Sequence, residues 1–247
     1  MTNDSPIDLE NANRTLEPLS AKERILWAAK TFSEDLVLLS SMQRSGVVLM
    51  HLFHELGLGN EILFLDTGYH FFETLRMRDE YMHRYRLNIV TLYPELTTED
   101  QETRHGKKLF TCTDGQPECC RLRKQAPLLK HLAAKRLPAV ANGLRRAEGG
   151  MRAHIKVLGP DLRTGGFQLS PICDWSDDDL RAYVDKHALP LHPLYDQGFA
   201  SIGCYPCTTP IGPGELPRAG RWRHLRSPAD EESVQYCGIN FSDGGGI

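Results

Sequence analysis

Short β-prone runs alternate with amphipathic helical runs along most of this 247-residue chain. That alternation limits the fold more than any other feature. LVLLSS at 36–41, EILFLDTG at 61–68, LNIVTLYP at 87–94, LPAVANGL at 137–144 and FQLSPI at 167–172 have the length and apolar content of buried strands. SGVVLMHLFHELG, FFETLRMRDEYMHRY and RLRKQAPLLKHLAAKR fall between them with helical spacing, and SDDDLRAYVDKHA follows the last strand. Strand and helix in turn build a mostly parallel sheet covered by helices on both faces. Ser176 suits the N-cap of the last helix, with Asp177, Asp178 and Asp179 in its first turn. Residues 1–20 are polar and aperiodic and read as a mobile arm. Residues 21–225 form the α/β domain, and 226–247, ending in NFSDGGGI, read as a flexible tail.

Composition narrows the function. Charged residues are 25% of the chain and the net charge is -3, so nothing global points to nucleic acid or a membrane surface. No apolar run approaches the roughly 20 residues that span a bilayer. The start, MTNDSPIDLENANRTLEPLS, has no basic stretch followed by an apolar one, so the expected compartment is the reducing cytoplasm. Seven cysteines there read as metal ligands or nucleophiles, not as a disulfide framework.

Four of those cysteines come in two pairs, the vicinal Cys119-Cys120 and the CxxC of Cys204 and Cys207. Four thiolates are what a [4Fe–4S] cube needs. A single tetrahedral zinc would have to take both vicinal sulfurs on one ion, which is cramped, whereas a cube offers each its own iron corner. A redox CxxC of the thioredoxin kind opens a helix after a strand. This one sits in the Gly/Pro-rich stretch HPLYDQGFASIGCYPCTTPIGPGELPRAGRWRH, a loop long enough to need pinning.

Charge clusters beside both pairs. No acid occurs between Glu118 and Glu148, a stretch holding Arg121, Arg123, Lys124, Lys130, Lys135, Arg136, Arg145 and Arg146. Arg218, Arg221, Arg223 and Arg226 share a segment whose only acid is Glu215. Lys130, Lys135 and Arg136 fit a solvated helix face. Lys124, Arg145, Arg146, Arg218 and Arg221, near turns and cysteines, fit an anionic ligand, since guanidinium forks match phosphate and sulfate oxygens.

Three further features belong with these. LVLLSS-MQRSG-VVLMHLF puts Ser40, Ser41, Arg44, Ser45 and Gly46 where a loop enters a helix, an anion-cradling position. Asp66, Thr67 and Gly68 end the second strand, where open α/β sheets bind ligands. Cys237, in VQYCGINF, stands apart from both pairs beside Gly238. On a flexible tail it is placed to enter a site and leave it.

Together, LSSMQRSG, FLDTGYHFFETL, CCRLRK, NGLRR, PICDWSDDDLRAYV, HPLYDQGFASIGCYPCT, PGELPRAGRW and YCGIN resemble the iron–sulfur sulfonucleotide reductases of sulfate assimilation, from about Ala21 to Asn240. The resemblance implies an adenine nucleotide α-hydrolase-like (PP-loop-type) fold of five or six strands. It implies that Cys119, Cys120, Cys204 and Cys207 hold a [4Fe–4S] cluster and that Cys237 is the nucleophile. It also matches Lys124, Arg145, Arg146, Arg218 and Arg221 to phosphosulfate-handling positions, and Ser40, Ser41 and Asp66-Thr67-Gly68 to nucleotide-binding segments. Two places depart from the family pattern. SSMQRSG replaces a loop that usually reads like SxxFGAED, and Asn240 stands where a histidine usually follows the tail cysteine.

The implied reaction is reduction of adenosine 5′-phosphosulfate to sulfite and AMP through a Cys237 S-sulfonate, with a thioredoxin or glutaredoxin-like dithiol as reductant. Use of the 3′-phosphorylated nucleotide is the alternative within the family. An iron–sulfur PP-loop thiolation enzyme is another, although such enzymes carry SGGxDS where this chain has SSMQRSG. A metal-pinned nucleic-acid-binding module is a third, although no nucleic-acid or membrane partner is expected. Homo-oligomerisation is compatible with the sequence.

Overall fold

The computed structural model describes residues 7–226. Its centre is a six-stranded sheet of β1 (Leu36–Leu39), β2 (Ile62–Leu65), β3 (Ile89–Leu92), β4 (Ala139–Ala141), β5 (Leu158–Asp161) and β6 (Gly166–Leu169). The order is β3-β2-β1-β4-β6-β5, and every pairing is parallel except β5 with β6. The five expected strands all form. The chain starts at β1, steps outward to β2 and β3, then returns to the other side of β1 for β4. The switch point between β1 and β4 is where a sheet of this kind opens a crevice at its carboxyl edge.

Period-two alternation divides the strands between two cores. Leu36, Leu38, Ile62, Phe64, Ala139 and Ala141 face the larger one. That core also contains Ile25 of α2 (Ala21–Phe32), Val47 and Val48 of α3 (Arg44–Glu55), Met77 and Tyr81 of α4 (Phe72–Arg84), and Leu180 and Val184 of α8 (Asp177–His187). Val37, Leu63, Leu65 and Val140 face the opposite way, against Leu128 and Leu132 of α7 (Ala126–Leu132). Helices therefore cover both faces, as the strand–helix alternation requires.

The sheet fixes α3 most tightly, with eight of its residues, Gly46 to Phe53, buried. Helix starts follow their sequence signals. Ser20 and Glu23 form a capping box on α2, and Ser176 and Asp179 form another on α8. Two further short helices are α5 (Thr98–His105) and α6 (Gly115–Cys120). A π turn, Arg121–Gln125, joins α6 to α7 without a break.

Two expectations need correction. Residues 1–20 read as a mobile arm, yet Leu9–Leu16 form helix α1, with Leu16 fully buried. Asp8 caps the helix, and the Asn13 carboxamide holds Leu158 from both sides, donating to its carbonyl (2.7 Å) and accepting from its N–H (3.0 Å). The apolar face of α1 is only one residue wide per turn, too sparse to register as a period. The second is β5, which the sequence reading omits. It is LGPD, and Gly and Pro inside a four-residue run hide a strand that is tolerated only at a sheet edge.

Candidate active site

The site is built where the carboxyl ends of β1, β2 and β4 meet the long C-terminal loop. After β2 the chain turns through Asp66-Thr67-Gly68. Asp66 Oδ1 accepts from Gly68 N–H (3.0 Å), and Gly68 sits at φ +71°, a conformation that suits glycine. This turn is zipped to the CxxC loop. His70 forms an antiparallel bridge with Cys204, Tyr205 N–H donates to Tyr69 O (2.7 Å), and Thr67 Oγ1 lies 3.3 Å from Cys204 Sγ. Thr67 thus lies among the cysteines.

Cys119 and Cys120 end α6, and the π turn that follows carries Arg123 and Lys124. Both pairs of cysteines line one small chamber with Lys124, Arg221 and Trp222. Cys119, Cys204 and Cys207 are buried. Amide donors point at the sulfurs: Gln116 Nε2 is 3.1 Å from Cys120 Sγ, and Gln101 Nε2 is 3.8 Å from Cys119 Sγ. Burial raises the Cys119 thiol and pushes that of Cys207 up to about 12, against the opposing pull of nearby cations, Lys124 among them.

The expected basic residues divide. Lys124 (7% exposed) and Arg221 (5%) are buried beside the sulfurs. Arg221 lies over the Trp222 ring at 4.8 Å, with Nη1 directed at Ser201 Oγ (3.3 Å). Arg218 caps the same ring at 5.6 Å. Arg145 follows β4 and binds Asp177 (2.6 Å) and the Trp175 carbonyl (3.2 Å). The Nε atoms of Arg145 and Arg221 are buried without a hydrogen-bond partner. Arg146 departs from the expectation. Its fork is filled by the Glu17 carboxylate (2.6 and 3.0 Å) and Nε donates to Ile155 O (2.9 Å), so it ties α1 to the domain.

The loop after β1 is braced from the same C-terminal segment. Ser40 is buried, and its Oγ accepts from Met42 N–H (3.3 Å). Gln43 occupies the N-cap position of α3, and its Oε1 accepts from Ile202 N–H (3.0 Å). Arg44 stacks on the Tyr195 ring at 4.1 Å. Ser41 is exposed at the mouth of the loop, its Oγ accepting from Gln43 Nε2 (3.2 Å). Cys237, in the 226–247 tail, lies outside the described residues.

Sequence reasoning missed Arg123. This residue, 3% exposed, donates from Nε to the Thr67 carbonyl, reaches Gln101 Oε1 (2.9 Å) and lies 5.0 Å from the centre of the Tyr69 ring. It locks the DTG turn to the helix bearing the vicinal cysteines. The available signal was its spacing of four from Cys119, the counterpart of Lys124 four from Cys120.

The sequence matches the phosphoadenosine phosphosulfate reductase domain over residues 35–210. The chain belongs to the phosphoadenosine phosphosulfate reductase domain family. Among curated proteins it is 42% identical over 214 residues to an adenosine 5′-phosphosulfate reductase of Streptomyces coelicolor, covering 86% of this chain and 88% of that one. It is 37% identical over 233 residues to another so named from Mycolicibacterium smegmatis, covering 94% and 93%. Among solved structures, the phosphoadenylyl-sulfate reductase of Candida auris superposes with a TM-score of 0.71 at 23% identity, covering 84% of this chain and all of that one. The FMN adenylyltransferase of Candida glabrata superposes at 0.55 with 16% identity, covering 98% and 83%. These two likenesses bear on the fold, an adenine nucleotide α-hydrolase-like one. The family's fold thus agrees with the reading of the sequence, with the reductase segment running from β1 to just past the CxxC loop.

Proposed function

We propose that this chain reduces adenosine 5′-phosphosulfate to sulfite and AMP. The observation that carries this is the convergence of four cysteines, Lys124 and Arg221 on one chamber at the carboxyl edge of the sheet. The relatives named for that nucleotide, 35–42% identical over most of their length, support the choice of substrate over its 3′-phosphorylated form.

The residues fit a [4Fe–4S] cluster. Four thiols, an amide donor and a hydroxyl within hydrogen-bond reach of their sulfurs, and buried cations suit a group whose thiolates leave it net negative. A single zinc fits less well. Among the described residues, the one trio of metal-type donor atoms within 4.8 Å of one another contains no cysteine, whereas tetrahedral zinc draws its sulfurs closer than that. A bound cluster supplies local charge and pins the C-terminal loop to α6. Cys119, Cys120, Cys204 and Cys207 would hold it.

The chemistry belongs to the thiols. Cys237 thiolate attacks the sulfuryl sulfur, an S–S bond forms, and the S–O bond breaks with its electron pair going to AMP. Lys124, Arg145, Arg218 and Arg221 neutralise the phosphosulfate oxygens as charge moves onto the leaving group. A dithiol of thioredoxin type then attacks Cys237 sulfur. Sulfite departs with the bonding pair, and the second thiol closes the disulfide and frees Cys237. Ser40, Ser41 and Asp66-Thr67-Gly68 border the nucleotide.

The test is sulfite release from both nucleotides with thioredoxin as reductant. The 5′-phosphosulfate should give the higher kcat/KM. Cys237→Ser should abolish turnover while keeping iron content and nucleotide binding, and wild type without reductant should gain one SO₃ on the Cys237 peptide. Preference for the 3′-phosphorylated nucleotide overturns the substrate choice. An adduct on Cys112 or Cys173, or a fully active serine variant, overturns the mechanism.

A further inference from the structure

At the opposite end of α3 from the anion loop, a second set of metal-type donors comes together. His51 and Glu55 lie one turn apart on the last stretch of α3, and His187 is the last residue of α8. One ligand atom from each lies within 4.8 Å of the other two. His51 Nδ1 is 3.7 Å from Glu55 Oε2, and His187 Nδ1 is 4.0 Å from Glu55 Oε1. The His51 and His187 side chains are 10% and 20% exposed and that of Glu55 is 27% exposed, so this is a lined recess with access to solvent.

We propose that His51, Glu55 and His187 bind a divalent cation of zinc type, which staples the carboxyl ends of α3 and α8 together.

Two imidazoles and one carboxylate are a donor set zinc takes readily, leaving a fourth position for water. Both helices end at this point, so the negative ends of two helix dipoles converge on the proposed ion. The outer shell is partly in place, since the Tyr183 hydroxyl donates to Glu55 Oε2 (2.9 Å) and leaves Oε1 facing His187. The same hydroxyl lies 2.9 Å from His51 Nδ1. Lys22 is the competing cation, with Nζ 3.2 Å from Glu55 Oε2. Its side chain is 48% exposed and has solvent to swing into. His54 and Tyr85 flank the recess through ring contacts with each other and with His51. A helix of 12 residues puts this site about 16 Å from the anion loop, too far to share ligands with it.

The experiment uses anaerobically purified, iron-loaded protein, freed of loosely bound metal and titrated with zinc by calorimetry. One equivalent should bind with Kd of about 1 µM or tighter, with iron content and brown absorbance unchanged. X-ray absorption at the zinc edge should show nitrogen and oxygen ligands without sulfur, which separates this site from cysteines exposed by cluster loss. His187→Ala and Glu55→Gln should each weaken binding by at least about tenfold, while His105→Ala, an exposed histidine elsewhere, should not. Zinc should also raise the Tm of wild type by about 5 °C and leave that of His187→Ala unmoved. The proposal fails if zinc at about 100 µM does not bind, if sulfur appears in its coordination shell, or if His187→Ala binds as wild type does. None of these readouts depends on which nucleotide the enzyme reduces.

Discussion

Arg221 shows how closely single residues are fitted around the cysteines. Gly203 precedes the CxxC, and a Cβ built there would overlap Arg221 Nη2 and come within 2.5 Å of Cζ and 2.9 Å of Nη1. The guanidinium therefore lies flat on a backbone that has no side chain. Gly203→Ala should push it off that seat without replacing a cysteine. Losing the charge-assisted contact proposed between Arg221 and the phosphosulfate, worth roughly 1.5–3 kcal/mol, should lower kcat/KM about 10- to 100-fold. Iron content should stay at the wild-type value. Wild-type kcat/KM would contradict the role given to Arg221, and so would loss of iron in step with activity. At this scale the sequence was legible wherever chemistry leaves a rare pattern. Paired cysteines announce themselves by spacing, whereas the spacing of an arginine does not show what it binds. Arg123 and Arg146 stand in the same basic stretch, and only their partners, the Thr67 carbonyl and the Glu17 carboxylate, show that both hold the fold together. Those partners are 56 and 129 residues away, so no local signal reports them.

Among the elements, the 3₁₀ turn Pro193–Gln197 carries a titration. His192 caps it and is 1% exposed. Its Nδ1 accepts from Leu194 N–H (3.3 Å), so the proton sits on Nε2, which donates to Thr74 Oγ1 (2.9 Å) and ties the turn to α4. Burial pushes its pKa from 6.5 down to about 4, with His70 adding to the shift and Glu73 opposing it. In the unfolded chain the ring titrates at its ordinary value. Above about pH 6.5 both states are neutral and the contribution is complete. As pH falls from there toward 4, the unfolded state takes up the proton first, and stability declines by on the order of 3 kcal/mol. Thermal melts between pH 7.5 and 4.5 should show this slope in wild type and a shallower one in His192→Gln, which should also melt lower at pH 7.5. Parallel curves would remove His192 as the source. Element type was legible where periodicity is long, as in α3 and α8, and where apolar runs are unbroken, as in β2. It was hidden in β5, whose existence depends on β6 beside it, and in the π turn, which differs from an α-helix by only one residue per turn.

The whole molecule is closed by a long-range ion pair. Arg24 of α2 is fully buried, and its guanidinium donates to both Asp174 oxygens (2.7 and 2.9 Å) and to the carbonyls of Leu16, Glu17 and Pro171. It therefore joins α1, α2 and the chain after β6 in one network. Asp174 stands two residues before the N-cap of α8, and its partner is 150 residues away in sequence. Asp174→Ala leaves a buried charge with only carbonyls around it. Because Asp174 is itself half exposed, the cost should be about 2–3 kcal/mol rather than the larger values of fully buried pairs. Denaturant midpoints should fall accordingly and Tm by roughly 5–10 °C, with iron content unchanged. An unshifted midpoint would mean the network contributes no net stability. The Asn13 carboxamide, finally, imitates a peptide group: it gives and takes the two hydrogen bonds that another strand would exchange with Leu158. Open sheets are prone to grow sideways by recruiting a neighbour's backbone. Here a single side chain on a short helix occupies that part of the margin, so a second molecule cannot add a strand at Leu158 until α1 is peeled away.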